Sequence, residues 1–272
     1  MNETSNKPRI RLIGAPTDCH SSFLRGAAAA PPLIRQALYS DHSNMAAESG
    51  AELGLDIILE DAGDLPLREE ERDADLITAA VAEAIAAGAV PLVLGGDHSI
   101  SFPVLEAIAA THGPVNILHF DAHPDLYDDF EGDPRSHASP FARIMERGLA
   151  SRLVQVGIRT LNRHCREQAE RFGVEIIEMR HFAADRVPRF EGPLYISIDM
   201  DGFDPAFTPG VSHHEPGGLS VRDVLAVLDR VEAPVVGADI VEYNPSRDIN
   251  GMTAVLAAKM IKEIASLCAR GR

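Results

Sequence analysis

Short, nearly continuous apolar runs alternate with helical patterns along the whole chain, and this alternation limits the possible folds more than any other feature. The runs are rich in Val, Ile and Leu, which is typical of strands buried on both faces. Strands of this kind separated by helices predict an α/β protein whose parallel sheet is covered by helices. The sequence predicts six strands, at Arg9–Gly14, Pro91–Leu94, Val115–Phe120, Arg152–Val156, Leu194–Ile198 and Val235–Ile240.

Three helices are predicted in the stretches outside these strands. Apolar residues recur at every fourth position of Ala74–Ala87, which predicts a helix with one buried face. Ser220 begins a capping-box pattern that opens a helix through Val231. A last helix is predicted over Met252–Ala269, and Gly271 is placed to end it.

Composition and charge narrow the class of protein. The 272 residues include 25 Lys and Arg against 41 Asp and Glu, and the net charge of −16 disfavours binding to nucleic acid or to an anionic membrane. No apolar run approaches the roughly 20 residues that span a bilayer, and the N-terminal sequence lacks the apolar stretch of a signal peptide. Three cysteines without metal-ligand spacing do not predict a disulfide framework. We therefore expect one domain over residues 1–272, located in the cytoplasm.

Acidic residues and a histidine directly follow the predicted strand Val115–Phe120. Asp121, His123 and Asp125 are two positions apart, so in extended chain their side chains share one face. Three such groups at a strand end can hold one cation or bridge two. A solvated turn is the alternative for this segment taken alone.

Two further strand ends carry groups of the same kind. Asp199 and Asp201 come after Leu194–Ile198, and burying several carboxylates together requires a compensating cation. Turn or capping chemistry before a proline is the alternative there, but it leaves both residues unexplained. His98 follows two glycines that let the backbone turn sharply after Pro91–Leu94. Three clusters at three strand ends favour one shared site.

Together the clusters supply two imidazoles and four carboxylates, and no thiolate. Oxygen-rich ligands with imidazole suit Mn²⁺, with Fe²⁺, Co²⁺ and Ni²⁺ as competitors, and they disfavour structural zinc. Six ligands exceed what one such ion usually takes from a protein, so we predict two ions roughly 3.5–4 Å apart. The predicted ligands are His98, Asp121, His123, Asp125, Asp199 and Asp201.

Two more residues indicate which electrophile such a site would attack. Glu242 follows Val235–Ile240, and a carboxylate there can pair with a planar guanidinium. His137 lies on the long polar loop Leu126–Ser139, where an imidazole can carry protons near neutral pH; an exposed loop histidine is the alternative. A two-metal phosphoesterase is disfavoured because no Arg or Lys closely flanks the clusters. A dinucleotide-binding oxidoreductase is disfavoured because no G-x-G-x-x-G opens a helix.

These clusters resemble the signature segments of the ureohydrolase family, which includes arginases and agmatinases. The segments are, in order, GGDHS, DAHPD, SIDMDGFDP and VEYNP. The loop that begins with DAHPD and the segment PGVSHHEPGGLS most resemble plant-type arginases. The resemblance covers nearly the whole chain and implies a three-layer α/β/α sandwich with a central, mostly parallel sheet. It also implies assembly as a homotrimer or homohexamer.

The same resemblance implies a reaction and a role for each residue. Members of the family hydrolyse a guanidino group to urea and an amine at two manganese ions, by attack of a bridging hydroxide on the guanidinium carbon. By position, one ion would be held by His98, Asp121, Asp125 and Asp199, and the other by Asp121, His123, Asp199 and Asp201. Asp125 would also orient the hydroxide. His137 would protonate the leaving amine, and Glu242 would hold the guanidinium.

The substrate depends on what holds the far end of the guanidino compound. The acidic loop contributes Asp128 and Asp133, which could attract an amino group. The serine and asparagine contacts that animal-type arginases make to the α-carboxylate are not visible here. We predict L-arginine, with agmatine or a guanidino acid such as guanidinobutyrate as the alternative; a metal-binding regulatory protein without catalysis is the alternative of a different class. For His119, His213 and His214 a structural interpretation is favoured.

Overall fold

Eight strands run parallel in one sheet of the computed structural model, which describes residues 7–270. They are β1 (Arg9–Ala15), β2 (Ile58–Asp64), β3 (Val90–Gly95), β4 (Val115–Phe120), β5 (Ala150–Ile158), β6 (Glu175–Glu178), β7 (Leu194–Asp199) and β8 (Val235–Val241). Their order across the sheet is β2-β1-β3-β8-β7-β4-β5-β6. Strands β3, β4 and β7 are buried along their whole length, which explains their continuous apolar runs.

Helices cover both faces of the sheet, so the predicted α/β/α architecture is confirmed. They are α1 (Ala30–Leu38), α2 (Asp73–Ala86), α3 (Ser101–His112), α4 (Pro140–Glu146), α5 (Arg163–Phe172), α6 (Val221–Leu228) and α7 (Met252–Arg270). Helices α1, α6 and α7 pack on one face with strand residues such as Leu92 and Leu94. Helices α2 to α5 pack on the other face with the intervening residues, such as Val93. Within residues 7–270, no helix combines the length and apolar character needed to cross a membrane.

The differences from the predicted elements lie at the sheet edges and at helix ends. All six predicted strands are present, but β2 and β6 were not predicted, and they form the two edges of the sheet. Helix α6 ends at Leu228 rather than Val231, because the next amides, of Arg230 and Val231, donate to carbonyls only three residues back. Helix α7 begins at Met252 as predicted. The predicted stop at Gly271 lies outside the described residues.

The strand order places four carboxyl ends side by side, because β3, β8, β7 and β4 are consecutive neighbours at the centre of the sheet. The segments that follow these parallel strands meet at one edge, where open α/β sheets bind ligands. Gly96, just after β3, permits a close approach there. A Cβ at this position would lie 1.6 Å from the carbonyl oxygen of Thr17, in the segment after β1.

Candidate metal centre and active site

The six predicted metal ligands lie together at this edge of the sheet. His98 follows β3, the DAHPD segment follows β4, and Asp199 and Asp201 lie at the end of β7 and just after it. His123 is half-buried, with 27% of its side chain exposed, and the other five residues are buried. The ends of these strands therefore bring four carboxylates and two imidazoles together in a largely buried site.

His98 joins carboxylates from two strand ends. Its Nδ1 atom lies 3.1 Å from Oδ2 of Asp125, 3.1 Å from Oδ2 of Asp199 and 3.3 Å from Oδ2 of Asp121. Its Nε2 atom, on the other side of the ring, lies 2.9 Å from the hydroxyl of Ser197 in β7. Nδ1 is therefore the atom of His98 that faces the carboxylates.

A second group of contacts is centred on His123. Its Nδ1 atom lies 3.1 Å from Oδ2 of Asp201 and 3.4 Å from Oδ1 of Asp121. The donor atoms of Asp121, His123 and Asp201 all lie within 4.8 Å of one another. Asp121 thus faces His98 with one oxygen and His123 with the other, the arrangement that a carboxylate shared between two ions requires.

The pKa values of the cluster reflect a crowding of negative charge. Burial, together with the charges of Asp201 and Asp121, raises the pKa of the Asp199 carboxyl well above its usual range. Burial opposes the charged form of His98, but its contacts with Asp121, Asp125 and Asp199 raise the pKa of that imidazole well above 6.5. The buried carboxylates thus raise the proton affinity of Asp199 and of His98.

These residues fit a pair of divalent cations. The four carboxylates of the cluster are buried, and their formal charge is the amount that two such ions neutralise. Without cations, burying these anions together carries a large energetic cost. Oxygen and imidazole donors without thiolate also suit manganese better than structural zinc.

His137 and Glu242 form a buried pair beside the cluster. Nδ1 of His137 lies 2.8 Å from Oε1 of Glu242, and the same oxygen accepts the backbone N–H of His98 at 2.9 Å. Burial opposes a charge on His137, but Glu242 outweighs burial and raises the pKa of the imidazole to about 9. In return, the charge of His137 outweighs burial at Glu242 and lowers the pKa of that carboxyl. The pair therefore consists of an imidazole that can carry protons, His137, and a carboxylate that stays anionic, Glu242.

Two of these residues have a strained backbone. Asp125 and Glu242 adopt left-handed conformations, with φ of 49° and 64°. Such conformations are uncommon outside glycine, cost of order 1–3 kcal/mol and cluster at functional sites. The fold therefore holds both carboxylates in place at some cost in stability.

A cavity of about 200 Å³ opens onto the cluster and the His137–Glu242 pair. It is lined by Ser22, His123, Pro124, Asp125, Tyr127, Phe130, His137, Ala138, Thr160, Cys165, Asp199, Asp201, His213 and Glu242. Two predicted substrate residues, Asp128 and Asp133, do not line it. Asp128 contacts Gln168 and Arg171, and Asp133 lies 2.7 Å from Nδ1 of His20. A larger depression of about 1140 Å³ contains none of the six predicted ligands.

Behind the cluster, Gln155 of β5 supports His119 of β4. The two residues are register partners, and the Gln155 amide nitrogen lies 3.1 Å from Nδ1 of His119. Nε2 of His119 lies 2.8 Å from Oδ2 of Asp121. His119 therefore orients a predicted ligand, a role that its position in the sequence left undetermined and that only strand pairing could indicate.

A second supporting group surrounds Asp239 of β8. This fully buried carboxylate accepts the hydroxyls of Ser101 at 2.5 Å and Ser197 at 2.6 Å, and that of Tyr195. Because Ser197 gives its hydrogen to Asp239, it accepts the Nε2 hydrogen of His98. Nδ1 of His98 is then the ring nitrogen that faces the carboxylates, and it would offer a lone pair to a metal ion that displaces its proton. No sequence motif marks Asp239.

The two adjacent histidines of the loop after β7 lie in different surroundings. His213 lines the cavity, with its ring centroid 5.4 Å from that of His137 and 5.5 Å from that of His123. His214 is exposed, and its Nε2 lies 2.9 Å from the carbonyl oxygen of Pro209. Only the first of the pair is placed to contact a molecule in the cavity.

Several known proteins are similar to this chain in sequence and in fold. The sequence model of the arginase family matches residues 8–266. "Arginase 1, mitochondrial" of Arabidopsis thaliana is 52% identical, over 96% of this chain and 81% of its own length. The solved structure of arginase from Medicago truncatula has a TM-score of 0.91 and 47% identity, over 96% of this chain and 87% of that one. Proclavaminate amidino hydrolase from Streptomyces clavuligerus has a TM-score of 0.88 and 31% identity, over 98% of this chain and 96% of that one.

These relatives contradict the expected cytoplasmic location. The Arabidopsis protein is named mitochondrial, and "Arginase 2, chloroplastic/mitochondrial" of the same plant is 50% identical over 96% of this chain and 80% of its own length. The expectation relied on the lack of an apolar signal peptide. That criterion addresses secretion only, because organellar transit peptides are amphipathic and rich in Arg and Ser. The prediction of a cytoplasmic location is therefore wrong.

The comparisons identify the family of this protein. A family model matches all but the ends of the chain. The Arabidopsis and Medicago arginases are 52% and 47% identical over nearly its full length. The predicted metal-dependent amidinohydrolase activity and the predicted ureohydrolase resemblance are confirmed, and the chain belongs to the arginase family.

Proposed function

We propose that this protein hydrolyses L-arginine to L-ornithine and urea with two Mn²⁺ ions bound per subunit. The observation that carries the proposal is that Glu242 lines the same cavity of about 200 Å³ as the carboxylate cluster. A guanidinium presents only N–H donors, and a carboxylate can accept two of them in a bidentate pair. The similarity to plant arginases favours arginine among guanidino compounds.

The proposed ligand sets are those that the family resemblance implies. The contacts of His98 and His123 support them, and the place of Asp199 in the second set rests on the resemblance. One ion would be held by His98, Asp121, Asp125 and Asp199, and the other by Asp121, His123, Asp199 and Asp201. When bound, the two ions lower the pKa of water so that hydroxide is available near neutral pH. Asp121 and Asp199, shared between the sets, would fix the spacing of the site.

The side chains around the cavity would bind and orient the reactants. Glu242 would accept N–H groups of the guanidinium and so set the position of its central carbon. Asp125 would accept a hydrogen bond from the attacking oxygen and direct it at that carbon. As the new C–O bond forms and the C–N bond to the side-chain nitrogen breaks, His137 would give that nitrogen the proton it needs to leave as an amine.

Agmatine is the second candidate substrate, because none of the residues that line the cavity is Arg or Lys. The α-carboxylate of arginine would have to rely on uncharged donors. One is the hydroxyl of Tyr127, a residue that lines the cavity and accepts a hydrogen bond from Asn162. Agmatine has no carboxylate to hold. Asp128 and Asp133 lie outside the lining, so we propose that they attract a cationic substrate through their electric field rather than by contact.

Urea release tests the proposal. The manganese-loaded protein should release urea with the highest kcat/KM on L-arginine when arginine, agmatine and 4-guanidinobutyrate are compared. A preference for agmatine would replace the substrate but keep the reaction. Urea from none of the three, with manganese binding intact, would overturn the proposed function in favour of a metal-binding regulatory role. The homotrimer or homohexamer stays a prediction, which light scattering of the purified protein checks.

A further inference from the structure

The exposed residue Ser22 contacts the buried imidazole of His137. The hydroxyl oxygen of Ser22 lies 2.7 Å from Nε2 of His137, and the backbone nitrogen of Ser22 lies 3.1 Å from the same atom. The other ring nitrogen, Nδ1, lies 2.8 Å from Oε1 of Glu242. Ser22, His137 and Glu242 therefore form a chain of hydrogen bonds from the surface to a buried carboxylate, beside the cavity that all three line.

The backbone amide of Ser22 determines where the hydrogens of this chain lie. An N–H group can only donate, so Nε2 of His137 is an acceptor here. Nδ1 must then carry the hydrogen and donate it to Glu242. In this arrangement His137 is neutral and has no proton on Nε2 to give to a leaving amine.

The surroundings of His137 nevertheless favour adding that proton. The charged groups that face the ring are Glu242, Asp97 and Asp125, and all three favour the imidazolium. The ring of His213 lies 5.4 Å away. The pKa of His137 is raised to about 9 despite burial. His137 can therefore hold a proton on Nε2 as well as on Nδ1, and its contacts must suit both protonation states.

Ser22 places two groups against Nε2 of His137, its hydroxyl and its backbone N–H. Only the hydroxyl can stay hydrogen-bonded to Nε2 in both protonation states of the imidazole. A protonated Nε2 loses the bond from the backbone N–H, which cannot accept a hydrogen. The hydroxyl can turn from donor to acceptor and keep its contact. Because Ser22 is exposed, its oxygen can also exchange hydrogen with water.

We propose that Ser22 is a positioning residue that holds His137 in both protonation states and passes protons to it from solvent; this rests on the proposed function. When the leaving amine takes the Nε2 proton of the imidazolium, the Ser22 hydroxyl donates its hydrogen to Nε2 and receives one from a protonated water or buffer molecule. One proton enters from solvent for each proton delivered to the amine.

The test compares three variants of the manganese-loaded protein. Ser22→Ala keeps the backbone N–H, which favours neutral His137, and removes the hydroxyl. We expect kcat to fall about tenfold, as the loss of part of a general-acid contribution, with KM changed less than twofold. The alkaline limb of the kcat profile should move to lower pH. Ser22→Thr keeps a hydroxyl, and its kcat should lie within threefold of that of the unaltered protein. Ser21→Ala is the control, because the Ser21 side chain does not contact His137, and its kcat should equal that of the unaltered protein.

A second measurement does not depend on turnover. An NMR titration of the His137 imidazole should give a lower pKa in Ser22→Ala than in the unaltered protein. Equal pKa values, or an unchanged kcat profile in Ser22→Ala, would overturn the role of Ser22 even if urea is released. Absence of urea from the unaltered protein would instead overturn the proposed function. The two failures are distinguishable, because the titration compares the two proteins without substrate.

Discussion

The side-chain amide nitrogen of Gln155 lies 3.1 Å from Nδ1 of His119, and this contact determines which ring nitrogen carries the hydrogen. The same nitrogen donates to the carbonyl oxygen of Pro124 at 2.6 Å, which fixes the orientation of the amide. Its second hydrogen therefore points at Nδ1 and makes that atom an acceptor. Nε2 then donates to Asp121, so His119 supports a predicted ligand and does not offer Nε2 to a metal.

We expect Gln155→Glu to weaken manganese binding roughly 10- to 100-fold, the usual effect of losing an outer hydrogen bond to a metal ligand. The new carboxylate cannot donate to Nδ1 of His119 or to the carbonyl oxygen of Pro124, so the two hydrogen bonds that hold His119 in its orientation toward Asp121 would be lost. Calorimetric titration of the metal-free protein with MnCl2 measures the affinity. Gln168→Glu, at a buried glutamine outside the cluster, is the control, and an unaltered Kd in Gln155→Glu would contradict the assignment of the hydrogens.

The proposed metal ligands can be recognised from the sequence, whereas the residues that hold those ligands in place cannot. The reason is geometric. Residues two positions apart at a strand end share a face, so DAHPD indicates a site without any knowledge of strand order. The supports His119–Gln155 and Ser197–Asp239 pair across neighbouring strands and are 36 and 42 positions apart. The edge strands β2 and β6 were missed because they are partly exposed and carry acidic residues in place of an apolar run.

Tyr195→Phe should lower the free energy of unfolding by about 1.5–3 kcal/mol, the typical value of a hydrogen bond to a charged group. The variant leaves the buried Asp239 carboxylate with two hydroxyl donors, from Ser101 and Ser197. Urea denaturation of the chelator-treated protein measures the change. Tyr39→Phe removes a hydroxyl from a residue that is 54% exposed and should have little effect. An equal loss in both variants would argue against a special contribution of Asp239.

Glu48 should make stability depend on pH in the acid range. Its carboxylate lies 2.6 Å from Arg222 and 2.9 Å from Lys259, and these contacts lower its pKa from 4.5 to about 2. Because the pKa is lower in the folded state, the contribution is present above about pH 4.5 and is lost as pH falls through 2. The side chain is 44% exposed, so solvent limits the contribution to less than about 1 kcal/mol.

Glu48→Gln tests this dependence. The difference in unfolding free energy between the variant and the unaltered protein should be constant from pH 8 to pH 5 and should shrink at lower pH. High salt should reduce it at every pH, because an exposed ion pair is screened. A difference that persists at full size at pH 2 and in high salt would show that Glu48 stabilises the protein through packing rather than charge.

Removal of metal should reverse the order of stability between the unaltered protein and Asp201→Asn. Without metal, burial and then the like charge of Asp201 raise the pKa of Asp199, so removing the charge of Asp201 should leave Tm in chelator equal or higher. With MnCl2 at about 100 times its Kd, binding should stabilise the unaltered protein by about 2.7 kcal/mol, and the variant by less because it has lost a ligand charge. Scanning calorimetry with and without chelator measures both states.

Asp204→Asn is the control. It alters a carboxylate that accepts the backbone N–H groups of Gly217 and Gly218, so it should lower Tm in both conditions and leave the manganese-induced shift unchanged. A full shift in Asp201→Asn would remove that residue from the proposed ligand set.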